Sequence, residues 1–496
     1  MSLVNRIGCL SLAGSLLIAT GCRKTLDVNQ NPNVASDATP QLLLPSAEVS
    51  LATTYGVNFQ IYGGIWGQYW TQNPNSSQYR ELERYQPTAP DFDRPWTNLY
   101  SNTGEDLVQL EKRAVAGNLK QYQAISVLLR TYMFQVITDA WGDVPYSEAL
   151  RGLPEDGGII APHYDAQSAI YSGMVAKIDE AIALIDPSDP AHPGADDVIY
   201  GGDMSLWLKF ANTLKLKVLM RLSEKDPAKA QTGIATLSGA TFLGDDTPFG
   251  DGEDAQVRYS STAGNKNPLY AEEVGLSRTQ NLVASSTVID SMVANDDVRV
   301  EVFFEPTTAG TFVGVKQGNF NATLSPGSYS IPSAAVGADA QDENSAVAPV
   351  KLLTGYESQQ LQAEAVARGW LTSASSAQDL FEKGIRASYV TYGLDTSDAN
   401  AYIADSYWGT FPATGSVAAK VRHIVTQKWF SMCGNEGFEG WTEWRRTGYP
   451  DFFVHSVTAL IPGFPRRFLY PDVEITRNLN FPGTKFISDR VYWDIH

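Results

Sequence analysis

The residue with the most definite chemistry in this chain is Cys22, an acyl acceptor by its setting. Arg6 supplies a positive start, Ile7 to Ile18 is apolar apart from small residues and two serines, and Ala19-Thr20-Gly21 leads into the thiol. This is the pattern of a secretory leader cut immediately before a cysteine that then carries lipid. The apolar run is too short for a membrane span of ~20 residues. Each acyl CH₂ buried in lipid contributes ~0.8 kcal/mol, so two or three chains make a stable anchor. Residues 1–21 therefore read as a leader, 22–40 as a polar tether around Asn29-Gln30-Asn31-Pro32-Asn33, and 41–496 as the body. Cys9 leaves with the leader, and Cys433 follows Trp429-Phe430-Ser431-Met432, an apolar setting that predicts a buried, inert thiol. One remaining cysteine cannot form an internal disulfide.

Motifs for catalysis are missing. The sequence holds no HExxH, CxxC, GxxxxGK[ST] or GxSxG, and Gly275-Leu276-Ser277-Arg278-Thr279 lacks the final glycine of the last. The histidines at 163, 192, 423, 455 and 496 have no metal-binding spacing, and no metal or other cofactor is expected. Asp251-Gly252-Glu253-Asp254 offers carboxylates for Ca²⁺ but lacks the loop pattern closed by a bidentate Glu. Paired carboxylates at the ~5–9 Å that glycoside hydrolysis needs are a property of the fold, so 55 Asp and Glu leave a lipid-anchored glycan hydrolase as the alternative reading. The net charge of −18 and the lack of any Lys/Arg run exclude a nucleic-acid binder. The same charge argues against a body lying flat on an anionic membrane.

Eleven Trp and 23 Tyr are the contrasting signal. A sugar ring has an apolar CH face and a rim of hydroxyls, which Trp and Tyr plates with Asn, Gln, Asp and Arg can match. The stretch 59–94 collects Tyr62, Trp66, Gln68, Tyr69, Trp70, Gln72, Asn73, Asn75, Tyr79 and Arg80. Trp66, Tyr69 and Trp70 fall at i, i+3, i+4, so a short helix would place them on one face, open to ligand or packed on the scaffold. The stretch 259–280 adds Tyr259, Asn267, Tyr270, Arg278 and Gln280. The expected ligand-binding residues are Trp66, Tyr69, Trp70, Tyr79, Arg80, Tyr259, Tyr270 and Arg278.

The elements that must hold these residues are helical. Ile125, Leu128, Leu129, Tyr132, Met133 and Val136 share one helical face, as do Ile170, Met174, Ile178, Ile182 and Ile185, with Asp165 placed as an N-cap. Trp207 to Leu222 is apolar nearly all round, which predicts a helix buried between neighbours. Helices are expected in pairs, 95–115 with 120–138, 168–185 with 205–222 and 357–370 with 377–391, the last with tetratricopeptide-like small and aromatic spacing. The fold class is therefore mainly α: tetratricopeptide-like hairpins with long irregular insertions at 59–94, 240–280, 305–350 and 393–415. Thr311 to Val315 reads as a short strand.

Several blocks together resemble the SusD/RagB-like nutrient-binding lipoproteins of the Bacteroidetes outer membrane, in the SusD-like 2 branch. They are Leu26-Asp27-Val28-Asn29-Gln30-Asn31-Pro32-Asn33, Thr138 through Ala149 (TDAWGDVPYSEA), Trp207 through Arg221, and Asn295-Asp296-Asp297-Val298-Arg299, where the family has proline at the fourth position. Lys428-Trp429, Glu439 through Pro450 (EGWTEWRRTGYP), Arg466 through Pro471 (RRFLYP) and Glu474 follow in order. The resemblance implies capture of a glycan, or a peptide, at the cell surface and its delivery to a SusC-like TonB-dependent outer-membrane barrel, without catalysis. For Arg445, Arg446, Arg466 and Arg467 the residues themselves point to internal ion pairs and carbonyl contacts rather than to ligand.

Overall fold

The computed structural model describes residues 38–246 and 250–496. Cys22, the leader and most of the tether lie outside them. Ten helices carry the argument: α1 (Pro40–Thr54), α2 (Gln60–Trp66), α3 (Glu105–Ala116), α4 (Lys120–Trp141), α5 (Gln167–Leu184), α6 (Met204–Met220), α7 (Gly355–Ala367), α8 (Ala377–Thr391), α9 (Val417–Ser431) and α10 (Gly437–Thr447). The expected pairs form: α3 packs on α4, α5 on α6 and α7 on α8, with α5 also lying along α4. Among the described residues no helix is long and apolar enough to cross a membrane.

Local chemistry sets the helix limits. The Asp203 carboxylate accepts the N–H groups of Ser205 and Leu206 and starts α6, and a reciprocal Ser376–Asp379 capping box starts α8. Helix α4 stops at Gly142, whose φ of 82° no β-branched residue would adopt easily. Asp165 does not cap α5. Helix α5 begins after Ala166, the Asp143 carboxylate accepts the Gln167 N–H at 2.8 Å, and Asp165 instead binds the Tyr146 and Ser147 N–H groups.

Strands are few and short. β1 (Trp70–Gln72) pairs antiparallel with β3 (Leu282–Ala284), β2 (Ala255–Val257) with β6 (Val350–Leu353), and β4 (Phe304–Glu305) with β5 (Ile331–Pro332). The Thr311–Val315 strand reduces to one bridge, from Val315 to Ser285. These ladders matter because they stitch insertions far apart in sequence: Trp70 lies opposite Ala284 and Gln72 opposite Leu282.

The centre is aromatic. Phe59, Trp66, Trp141, Phe438, Trp441 and Phe468 form one ring cluster, with Phe59–Phe438 and Trp66–Trp441 centroids both 5.0 Å apart. Helices α2 and α10 meet there through glycine. A Cβ on Gly63 would lie 2.2 Å from the Phe438 backbone, and one on Gly437 would lie 2.7 Å from the Gly64 nitrogen.

Candidate ligand-binding surface

The charged residues of the C-terminal blocks are packed inside. Lys217 of α6 lies 3.2 Å from Glu357 and 3.1 Å from Glu439. Arg221 reaches Asp139 at 3.1 Å and Glu439 at 2.5 Å, and also pairs with Glu443. Arg446 bridges Glu364 at 2.6 Å and Glu443 at 2.5 Å. All these side chains are at most 2% exposed. Burial alone would raise the Glu439 carboxyl, but Arg221, Lys217 and Lys428 hold it down at about 2. Arg445 stacks 3.6 Å from the Trp441 ring centre and donates to the Asp139 and Arg466 carbonyls. Arg466 pairs with Asp494, and Arg467 donates to the Trp141 carbonyl. Arg299 pairs with Asp297 at 2.6 Å and reaches Ser388, Ser431 and Gln427. These ion pairs build the scaffold, with Arg466 alone among them partly exposed.

Three expected ligand residues are core residues, which corrects the reading of 66–70. Helix α2 ends at Trp66, Gln68 turns through a φ of 60°, and Tyr69 and Trp70 enter the β1 region, so the three rings never share a helical face. Trp66 is 3% exposed and donates its indole N–H to the Leu82 carbonyl. Tyr69 is fully buried, stacked 5.0 Å from Trp429 with its hydroxyl on the Trp429 carbonyl. Trp70 is equally buried, against Gly64.

The β1–β3 ladder brings the two candidate insertions together. Tyr79 is mostly buried and donates to Glu273 at 2.9 Å, on the helix Pro268–Gly275, and the Asn73 amide donates to the Gln280 carbonyl at 2.6 Å. Arg80 is half-exposed, donates to the Ser76 carbonyl and lies 5.2 Å from the Phe320 ring centre. Tyr270 offers no exposed ring face: Lys266 covers it at 5.4 Å, and Arg278 donates to its hydroxyl at 3.2 Å. Arg278 also pairs with Glu343 at 2.5 Å; with Tyr270 and Lys266 it holds that carboxyl at about 2. Ser277 and Arg278 both sit at positive φ, 66° and 52°, a strained turn that presents the guanidinium outward. Tyr259 stands apart, half-buried after β2 and beside Thr53 of α1. What faces solvent at the joined insertions is therefore polar: Asn75, Gln78, Arg80, Arg278, Gln341 and Glu343.

Two adjoining clefts escaped the sequence reading. One of about 480 Å³ lies between α3, α4 and α5, lined by Arg130, Phe134, Tyr146, Arg151, Asp156 and Lys177. The other, about 550 Å³, is lined by Trp96, Tyr100, Glu105, Pro145, Glu474 and Arg477. Ala149 and Leu150 form their common wall. The sequence signal was the segment Tyr146 to Ala149, which belongs to a resembling block but carries no ligand motif.

Lys209 lies 3.0 Å from Glu253, Lys351 2.7 Å from Asp254 and Arg258 2.9 Å from Asp251, so side-chain cations already occupy the Ca²⁺ candidate. Among the described residues no three metal-ligating side chains converge. Burial pushes up the carboxyls of Glu83, Glu273 and Glu436, each without exposed surface, and also those of Asp290 and Glu305, which stay exposed.

A comparison with curated proteins found no match. Among solved structures the chain is similar to a chitin-binding protein at 23% identity and TM-score 0.76, covering 92% of this chain and 100% of that one. A SusD homolog from Bacteroides uniformis aligns at 24% identity and TM-score 0.75, over 92% and 99%. A chitin-binding SusD homolog from Flavobacterium johnsoniae aligns at 21% and 0.71, over 90% and 98%. At these identities the likeness establishes the fold. Residues 32–471 match the family SusD-like_2, described as starch-binding associating with outer membrane, and the chain belongs to that family.

Proposed function

We propose that this protein is a lipid-anchored, surface-exposed binding protein of the outer membrane that captures a glycan and delivers it to a SusC-like TonB-dependent barrel. The observation that carries the reading is the family match along nearly the whole body. The chitin-binding names of two structural neighbours favour a glycan over a peptide as ligand. The joined insertions supply the chemistry: half-exposed Arg80 and Arg278 with neighbouring amides present fixed donors and acceptors of the kind sugar hydroxyls need. Anchoring falls to Cys22. Binding without turnover is favoured over the hydrolase by the family match, whose description is one of binding.

Two measurements test this. A capture protein working on a barrel needs a lasting contact, and permanent interfaces bury ~2,000–5,000 Å². Mild detergent extraction is expected to recover the protein with a TonB-dependent barrel; free monomer alone, across detergents and after cross-linking, counts against the partnership. Purified protein incubated with chito- and malto-oligosaccharides is expected to bind without releasing reducing ends. Release that depends on the protein would establish the hydrolase instead.

A further inference from the structure

Of the eleven Trp and 23 Tyr, all within the described residues, one ring stands open to solvent. Tyr407 is 60% exposed. It follows the helix Thr396–Asp405 in a turn that its neighbours lock. Trp408 is 6% exposed and anchors the turn, with its ring centre 4.8 Å from that of Tyr407. Ser406 Oγ accepts the Gly409 N–H at 2.8 Å, and a Cβ on Gly409 would lie 2.3 Å from the Tyr402 carbonyl oxygen, so the turn closes only with glycine there. His423 packs 5.0 Å from the tyrosine ring.

The hydroxyl edge is fixed as well. Arg422 donates to Tyr407 Oη at 2.9 Å and to both Asp451 oxygens at 2.9 and 3.0 Å, while its guanidinium lies 4.7 Å over Trp408. The Asp451 side chain remains 45% exposed, so its carboxylate keeps lone pairs for an incoming donor. An isolated exposed apolar side chain is ordinary. An aromatic plate held at both ends, beside an open carboxylate and guanidinium, is different: its ordering is complete before any ligand arrives, which removes a main cost of binding.

We infer that Tyr407 is the stacking plate of a saccharide subsite separate from the joined insertions, with Asp451 and Arg422 as hydroxyl partners. The inference rests on the glycan reading above. The apolar CH face of a pyranose covers the ring, and its rim hydroxyls reach Asp451 as donors and Arg422 as acceptors.

The test is calorimetric titration of the mature protein with chitotetraose and with maltotetraose. At least one is expected to bind, with uptake reduced by Tyr407→Ala and retained by Tyr407→Phe, which keeps the ring. The thermal midpoint of Tyr407→Ala is expected to match the parent, since an exposed ring carries little packing. Uptake undiminished by Tyr407→Ala overturns the inference and leaves glycan capture standing. No uptake of either sugar by the parent protein overturns the glycan reading and the subsite with it.

Discussion

Trp66 and Trp70 differ from Tyr407 in what their removal should do. Both indoles are sealed in the core, so Trp66→Ala and Trp70→Ala are each expected to cost ~3–5 kcal/mol of stability, read as a clear fall in the urea midpoint. A wild-type midpoint for either variant would contradict the packing described. Glu83 gives a second test. Thr71, Gln72 and Gln317 donate to its carboxylate, yet burial wins and pushes it up to about 7. The unfolded carboxyl ionises near ~4.3, so between these values the folded state holds the extra proton. Stability from this group is then full below the unfolded value and is lost as pH rises to about 7, with a slope of at most about 1.4 kcal/mol per pH unit. Urea unfolding at several pH values is expected to show that slope in the parent and a flatter profile in Glu83→Gln. Residue roles were the least legible part of the sequence. The spacing of Trp66, Tyr69 and Trp70 suits a helix, but Gly67 and Gln68 end it, and whether a ring faces solvent depends on elements hundreds of residues away, such as Trp429 and Trp441.

At the scale of elements, the helix pairs were legible because each carries its own apolar period, as in Ile125 to Val136, and that period needs no partner to be read. The ladders were not, since three-residue strands such as β1 and β3 have too little pattern to announce a pairing across 210 positions. Nor was the α2–α10 contact, which depends on glycines meeting across the core. Gly63→Ala is expected to force these helices apart, because the added carbon meets backbone at 2.2 Å, which cannot rotate away. A loss of ~1–3 kcal/mol or more is expected on thermal unfolding. Gly275→Ala is the contrast: nothing lies within 4 Å of the new carbon at the end of its helix, and a gain of ~0.4–1 kcal/mol is expected.

Across the whole molecule, the buried ions tie elements that a simple helical repeat would leave independent. Asp139 of α4, Lys217 of α6 and Arg221 just after it, Glu357 of α7, Lys428 of α9 and Glu439 of α10 are linked through direct pairs. Glu439→Gln takes one carboxylate from Lys217, Arg221 and Lys428 together and leaves these buried cations undercompensated, so it is expected to cost ~3–5 kcal/mol. Because those helices share one network, calorimetry of residues 40–496 is expected to give a single transition rather than the stepwise loss typical of stacked repeats. Two separated transitions would mean that the helix pairs unfold independently.

Cys433 lies in the turn between α9 and α10, with no exposed surface and a thiol that burial pushes well above its usual range. In a leaderless Cys22→Ser protein it is the sole thiol. A thiol-specific dye can then reach it only when the turn beside Lys428 and Glu439 opens. The labelling rate under native conditions therefore acts as an internal clock for that opening. Comparing the rate with and without bound sugar would tell whether ligand capture at the surface is felt at the centre of the molecule, with no probe introduced.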